Sequence, residues 1–330
     1  MREEKELKNL FNRILFTSVF GLMVALLSHF RNPFFISFFS VSITLAMKRY
    51  EVRLLLEKIG AICIGLLLGV VATELFIPFP HLESLLVYII FVTTLKLFAH
   101  DYKSNTVFIS NFSFMYASIF GSYLEATFDE EALQYLWEML WVVIIVTITF
   151  KLFPSNMNME EVKPLKESRV QNWKVYFFSL ILSLVWVFSM YFEFRFAFFA
   201  YVVLISIFIG FDTKTMGFKA VENIKTHFKA CSITAIFSLL LYGMVQNVLL
   251  MSLGLLLVFI PIVRNAVYPK DPKKIYSNFS LISGLIVPFT LYINLDGAAV
   301  YKCLLRSNMI TLSMLLILFI LKILPYNKLS

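Results

Sequence analysis

The sequence is poor in charge, cysteine and histidine, and each shortage excludes a class of protein. Only 15% of its 330 residues are charged, against about a quarter in ordinary soluble domains. The three cysteines lie far apart without metal or redox spacing, so we interpret them as small apolar fillers. The four histidines show no metal-ligand spacing, and neither a nucleophile motif nor a phosphate-binding Gly-Lys-Ser/Thr loop occurs. We therefore predict no enzyme, no metal, no cofactor and no ATP-driven transport by this chain alone.

Apolar residues dominate what is present. Hydrophobic residues make up 59% of the chain, and the mean hydropathy is +0.81. The apolar runs are long enough to cross a hydrocarbon core of about 30 Å as helices, and short connections separate them. Because backbone polar groups in lipid must be satisfied within each segment, these runs favour helices over a barrel of weakly alternating strands. The composition predicts a polytopic, all-α membrane protein.

The distribution of basic residues predicts an orientation. The net charge of +8 could indicate a nucleic-acid partner, but all except four of the 29 Lys and Arg are confined to particular segments. These segments are the N-terminus, residues 48–58, 96–103, 151–174, 214–229 and 264–274, and the C-terminal tail. The bias follows the positive-inside rule, so we expect both termini in the cytoplasm and no nucleic acid.

Two short motifs recur in the same order. Residues 30–35 (FRNPFF) are echoed at 194–199 (FRFAFF), 164 positions later, and residues 110–113 (SNFS) return at 277–280, 167 positions later. Four-letter matches also arise by chance in a chain rich in Phe and Ser. The nearly equal offsets nevertheless favour an internal duplication.

The duplication predicts about twelve transmembrane helices in two repeats of six. The first repeat would occupy residues 1–154, a polar cytoplasmic linker residues 155–171, and the second repeat residues 172–330. We expect the third helix at about 60–78 and the ninth at about 229–247. An even number of helices keeps both repeats in the same orientation, so the repeat is parallel.

Glu138 is the candidate proton-coupling residue. It is flanked by Trp137 and Trp141 about two turns into the predicted sixth helix. A carboxylate there could alternate between protonated and charged forms as water access changes. The alternative is a glutamate that faces an outer vestibule or pairs with an arginine.

Three arginines are candidates for binding an anionic substrate. Arg31 and Arg195 occupy equivalent positions in the repeated motif, each followed by paired phenylalanines, and would suit an anion that carries a ring. The alternative is that both reach towards lipid head groups, with Glu193 as a neutralising partner. Arg306 lies a turn inside the predicted twelfth helix and has no basic counterpart in the first repeat.

Helices five and eleven carry matched polar and helix-interrupting residues. Asn111 and Asn278 are equivalent and would line a substrate path, although hydrogen bonding between helices is the commoner role. The same offset aligns Gly121 with Pro288, and matched helix interruptions are a pointer to a transporter's binding site.

A resemblance to a known family begins near the N-terminus. The run NPFF at 32–35 opens a short helix, the basic stretch 48–58 follows, and Gly60, Gly65 and Gly69 come next with spacing that permits close helix packing. Together they resemble the membrane unit of the fusaric-acid-resistance and aromatic-acid-exporter family of bacterial inner-membrane proteins. The resemblance implies efflux of aromatic or other organic acids driven by the proton gradient, often with a periplasmic adaptor protein. The large cytosolic domains of longer members are absent from this sequence.

The sequence thus predicts a secondary transporter of the inner membrane. Its partners would be an organic acid held between the two repeats, the lipid bilayer, a periplasmic adaptor and further copies of itself in a homo-oligomer. A passive anion channel is the main alternative, because the same arginines could form a charged constriction without a titrating carboxylate. A membrane scaffold subunit of a larger efflux assembly is the other.

Overall fold

A computed structural model describes the chain over twelve stretches, and the prediction of an all-α fold is confirmed. The described residues are 2–28, 34–47, 49–76, 79–99, 104–121, 128–155, 172–191, 197–208, 213–241, 248–271, 274–292 and 299–323. They form twelve α-helices, and no strand occurs among them. The helices are α1 Arg2–Leu27, α2 Phe34–Ala46, α3 Val52–Phe76, α4 Pro80–Ala99, α5 Ser104–Gly121, α6 Phe128–Leu152, α7 Asn172–Tyr191, α8 Ala197–Phe208, α9 Thr213–Leu241, α10 Val248–Val267, α11 Ile275–Tyr292 and α12 Ala299–Ile323.

Six helices in the described part of the chain are long and apolar enough to cross a membrane. The candidate spans are Glu4–Leu27, Val52–Thr73, Gln134–Leu152, Asn172–Tyr191, Leu250–Val267 and Val300–Lys322. Three shorter apolar helices occur at Phe34–Ala46, Thr106–Ile119 and Ile275–Thr290. These lengths and compositions indicate a membrane protein, while the figure of twelve spans stays a prediction.

Helix α9 begins earlier than the sequence predicted. Residues 214–229, assigned to a basic connection, lie within it, and residues 52–58 of the basic stretch 48–58 form the start of α3. In α9 the charged residues Lys219, Glu222 and Lys225 follow one another at intervals of three. Opposite charges at that interval face each other on a helix and stabilise it. A charged stretch therefore lengthens a helix here and does not end it.

Contacts divide the chain into two compact units, each assembled from separate parts of the sequence. Unit 1 comprises residues 1–55, 127–160 and 223–307, and unit 2 comprises residues 56–126, 161–222 and 308–330. Within unit 1, α1 packs against α2, α6, α10 and α11, and α2 also contacts α6 and α11. Each unit thus combines helices from both halves of the sequence.

Helix α2 is the buried centre of unit 1. Its 13 residues extend about 20 Å at 1.5 Å per residue, which is shorter than a hydrocarbon core of about 30 Å. None of its residues is exposed, because the surrounding helices cover every side. The aromatic rings of Phe35 and Phe39 stack with their centroids 5.3 Å apart. A helix that is apolar on all sides belongs in such an interior.

In unit 2, glycines allow α3 to approach α5 closely. A Cβ atom added at Gly65 would overlap the carbonyl oxygen of Ser110, and one at Gly69 would lie 2.7 Å from the carbonyl oxygen of Phe114. At Gly60 an added Cβ would meet nothing within 4 Å. Gly65 and Gly69 therefore lie against the α5 backbone, and Gly60 does not.

The helix pairings inside the two units correspond. In unit 1, α1 packs against α10 and α2 against α11, and in unit 2, α7 packs against α4 and α8 against α5. If the helices are numbered as two runs of six, α7 corresponds to α1 and α8 to α2. Helices α4 and α5 likewise correspond to α10 and α11. Each unit thus contains the same two helix pairings. In unit 1 the first and second helices of the pairings come from the first run of six, and in unit 2 they come from the second run.

Candidate functional site

Glu138 lies completely buried in α6, inside a candidate membrane span. Its exposed fraction is 0%, and Gln134 Nε2, one turn earlier, donates to its Oε1 at 3.3 Å. Tyr135, which is three residues before Glu138 and so on the same side of α6, contacts the ring of Phe35 at a centroid distance of 5.4 Å. This contact places Tyr135 level with the first turn of α2, and Glu138 lies about one turn further along α6.

Small residues let α1 approach α2 next to a row of serines. A Cβ atom added at Gly21 of α1 would lie 3.3 Å from Ser37 Cα and 4.0 Å from Ser40 Cβ. Both serines are fully buried. Ser37 Oγ donates to the carbonyl oxygen of Phe34 at 3.2 Å, whereas Ser40 Oγ has no hydrogen-bond partner in the part of the chain that the structure describes.

Three threonine hydroxyls meet further along α2. Thr17 of α1 lies with its Oγ1 atom 3.4 Å from Thr44 Oγ1 of α2 and 3.2 Å from Thr149 Oγ1 of α6. Thr17 Oγ1 also donates to the carbonyl oxygen of Arg13 at 2.7 Å. All three threonines are buried. Hydrogen-bonding side chains at the meeting of three apolar helices hold those helices together and give them a fixed register.

Arg13 lies one turn before Thr17 on α1 and is 4% exposed. Its guanidinium carbon is 4.9 Å from the centre of the Phe150 ring, and its charge interacts with that of Glu6 on the same helix. Sequence reasoning missed Arg13, because an arginine near the N-terminus was counted with the cytoplasmic basic residues. The signal was available, since Arg13 follows the start of the predicted first apolar run by only three residues.

Buried polar residues thus line unit 1 along the whole of α2, and we name them the polar column. The column runs from Glu138, through the serine and threonine groups, to the arginine. Its members are Glu138, Ser37, Ser40, Thr44, Thr17, Thr149 and Arg13. Intramembrane charged and polar residues are costly, and where they occur they commonly mark a path for ions or protons.

A second buried polar group in unit 1 surrounds Arg306, which is 3% exposed. The guanidinium lies close to the buried imidazole of His227 in α9. The thiols of Cys231 and Cys303 contact each other beside it. Both cysteines line a cavity of about 50 Å³ between α9 and α12, which has room for water. Two cysteines interpreted as separate fillers are therefore neighbours in space.

The two matched asparagines differ in their surroundings. Asn111, in α5 of unit 2, is 3% exposed, and neither polar atom of its amide has a hydrogen-bond partner among the described residues. Asn278, in α11 of unit 1, is half-buried and donates through Nδ2 to the carbonyl oxygen of Asn265 at 2.7 Å. Asn278 therefore joins α11 to α10, while the amide of Asn111 is desolvated and no described residue compensates for the lost hydration.

The remaining predicted residues are one at a helix end, one inside a helix and two outside the described residues. Gly121 is the last residue of α5, whereas Pro288 is buried inside α11, which continues to Tyr292. Arg31 and Arg195 lie outside the described residues.

The remaining chemistry and the comparisons assign no further role. Within the stretches that the structure describes, no three His, Cys, Asp or Glu side chains are grouped so that they could hold a metal ion. Comparisons with protein families, curated proteins and solved structures find no match to this chain.

Proposed function

We propose that the chain is a secondary transporter that uses the proton gradient to export aromatic or other organic anions across the bacterial inner membrane. The observation that carries the proposal is the complete burial of Glu138 inside a candidate span of α6. A permanently charged carboxylate would be costly there, and a carboxylate that gains and loses a proton avoids that cost in its neutral state.

Proton movement is coupled to substrate export because water reaches the Glu138 carboxylate from one side of the membrane at a time. Glu138 takes up a proton when the site opens to the outside, and the neutral side chain costs less to bury than the charged form. When the site opens to the cytoplasm, the proton leaves and the charged form is hydrated. A substrate anion released outwards during the same cycle is thereby exchanged for inward proton movement.

Two features support the other parts of the proposal. Arg306 supplies a buried positive charge beside a cavity in unit 1 and would attract an anion. The correspondence of helix pairings in the two units supports the internal duplication, and so supports two six-helix repeats. A periplasmic adaptor and a homo-oligomer belong to the same proposal through the family resemblance.

The test is Glu138→Gln, which keeps the size and hydrogen-bonding capacity of the side chain and removes its titration. In everted membrane vesicles with an imposed pH gradient, wild-type protein should accumulate a labelled aromatic anion chosen from a panel of carboxylates and sulfonates. Glu138→Gln should abolish accumulation. Glu4→Gln is the matched control, because Glu4 is exposed, and it should transport normally.

The same assay separates the transporter from the passive channel. A channel would still conduct the anion down its own gradient after an uncoupler collapses the proton gradient, and Glu138→Gln would leave that flux unchanged. Either result would overturn the proposed coupling.

A further inference from the structure

We propose that Arg13 and Phe150 form a binding subsite for an aromatic anion at the end of the polar column opposite Glu138. This inference rests on the proposed function, because it names where in unit 1 the transported anion is held. The positive-inside distribution assigns this end of α1 and α6 to the cytoplasm. The subsite would therefore load substrate before export.

The first observation is a buried guanidinium whose donors lack hydrogen-bond acceptors among the described residues. Arg13 is 4% exposed, and its Nε and Nη1 atoms make no hydrogen bond with any described residue. It lies nine residues, or about 13 Å, along α1 from the start of the candidate span at Glu4. Since leaving such donors unsatisfied in an apolar interior is costly, an occupant that accepts their hydrogen bonds would be stabilised. A carboxylate matches the guanidinium fork.

The second observation is the aromatic surface next to this charge. The Arg13 guanidinium carbon lies 4.9 Å from the centre of the Phe150 ring. The rings of Phe150 and Tyr50 are 6.0 Å apart at an interplanar angle of 39°, and Tyr50 is fixed by a 3.1 Å hydrogen bond between its hydroxyl and Thr147 Oγ1. An anion with an aromatic ring could pair with Arg13 and pack against these rings at the same time.

The surrounding helices keep the charge and the ring together. Thr17 Oγ1 donates to the Arg13 carbonyl at 2.7 Å, which fixes this turn of α1. Asn9 Nδ2 donates to the carbonyl oxygen of Pro154 at 2.8 Å and so links α1 to the segment that follows α6. These bonds lie on either side of Arg13 along α1. The arrangement is therefore preorganised, which reduces the cost of binding.

Glu6 is the competing negative charge. It lies two turns before Arg13 on α1, is 8% exposed and interacts electrostatically with the guanidinium. An incoming anion is repelled by Glu6 while it is attracted by Arg13. Removing the charge of Glu6 should consequently strengthen anion binding, whereas a purely structural role for Arg13 predicts no such gain.

The experiment measures binding of benzoate to the purified full-length protein in lipid nanodiscs by calorimetry, with uncharged benzamide as the matched compound. Arg13→Gln should weaken benzoate binding by about tenfold or more, because a hydrogen-bonded charge is lost. Phe150→Leu should weaken benzoate binding and leave acetate binding unchanged. Glu6→Gln should tighten benzoate binding. The exposed Arg49 provides the control Arg49→Gln, which should bind as wild type.

The outcomes distinguish this inference from the proposed function. Glu138→Gln should still bind benzoate, so loss of transport with retained binding supports both ideas. Wild-type protein that fails to bind benzoate, or binds benzamide equally well, would overturn the subsite. So would Arg13→Gln protein that binds benzoate normally. If Arg13→Gln does not fold, the Glu6→Gln result decides: unchanged or weaker binding rejects the subsite.

Discussion

The threonine contacts in the polar column give a prediction whose size follows from the structure. Thr17→Val keeps the shape of the side chain and removes its hydroxyl. Because the Thr17 proton goes to the Arg13 carbonyl at 2.7 Å, Thr44 is the donor in the 3.4 Å contact between α1 and α2. The substitution thus removes contacts from Thr17 to both Thr44 and Thr149.

Hydrogen bonds between helices in membrane proteins contribute about 0.6 kcal/mol on average and up to about 1.7 kcal/mol. Thr149 donates its own proton to the Ile145 carbonyl oxygen at 2.7 Å, so the contact with Thr44 is the hydrogen bond between helices that the substitution removes. Thr17→Val should therefore lower the free energy of unfolding by about 0.6 kcal/mol. In a double-mutant cycle with Thr44→Val, the coupling energy should be about 0.6 kcal/mol. Equilibrium unfolding in mixed micelles with increasing dodecyl sulfate measures both quantities.

Thr234→Val serves as the control partner for Thr17→Val. The Thr234 hydroxyl donates to the Ala230 carbonyl of its own helix, so the two threonines share no hydrogen bond. Their substitutions should be additive. A coupling energy near zero between Thr17 and Thr44, equal to that of the control pair, would refute the contacts on which the polar column is built.

Two further predictions concern helix packing and the asparagines. Gly69→Leu should lower the free energy of unfolding by about 1–3 kcal/mol through overpacking against α5. Gly60→Ala, with open space at its Cβ, should be neutral or slightly stabilising. Equal effects of the two substitutions in the same unfolding assay would contradict the α3–α5 packing. Asn278→Ala should destabilise the fold by up to about 1.7 kcal/mol, because it breaks the bond to Asn265. Asn111→Leu should leave the free energy of unfolding unchanged or raise it, since no described residue hydrogen-bonds the buried Asn111 amide. If Asn111 lines the substrate path, Asn111→Leu should nevertheless reduce transport, and normal transport would remove it from the path.

The composition was sufficient to predict the fold class, but it did not predict how deeply each charged residue is buried. The all-α membrane architecture follows from apolar runs, and the burial of α2 follows from its short, Phe-rich segment. The position of Arg13 does not follow from the charge distribution, because the same rule that orients the chain assigns an N-terminal arginine to the cytoplasm. Only the packing of α1 against α6 shows that Arg13 is covered.

Equivalent sequence positions also have different surroundings. Asn111 and Asn278 share a four-residue motif, yet one amide has no hydrogen-bond partner among the residues that the structure describes and the other binds a carbonyl of α10. The contact between Cys231 and Cys303 likewise depends on how α9 packs against α12. Such differences are set by neighbours distant in the sequence, which a single sequence does not display.

The most direct test of the central claim is a measurement of protons that move with the substrate. Purified protein would be reconstituted into liposomes that contain a pH-sensitive dye, and an aromatic sulfonate, which has no membrane-permeant acid form near neutral pH, would be added outside. Proton-coupled exchange predicts a substrate-dependent pH change in the lumen with wild-type protein and none with Glu138→Gln. Substrate flux without any pH change in wild-type liposomes, or an unchanged pH signal with Glu138→Gln, would contradict the account.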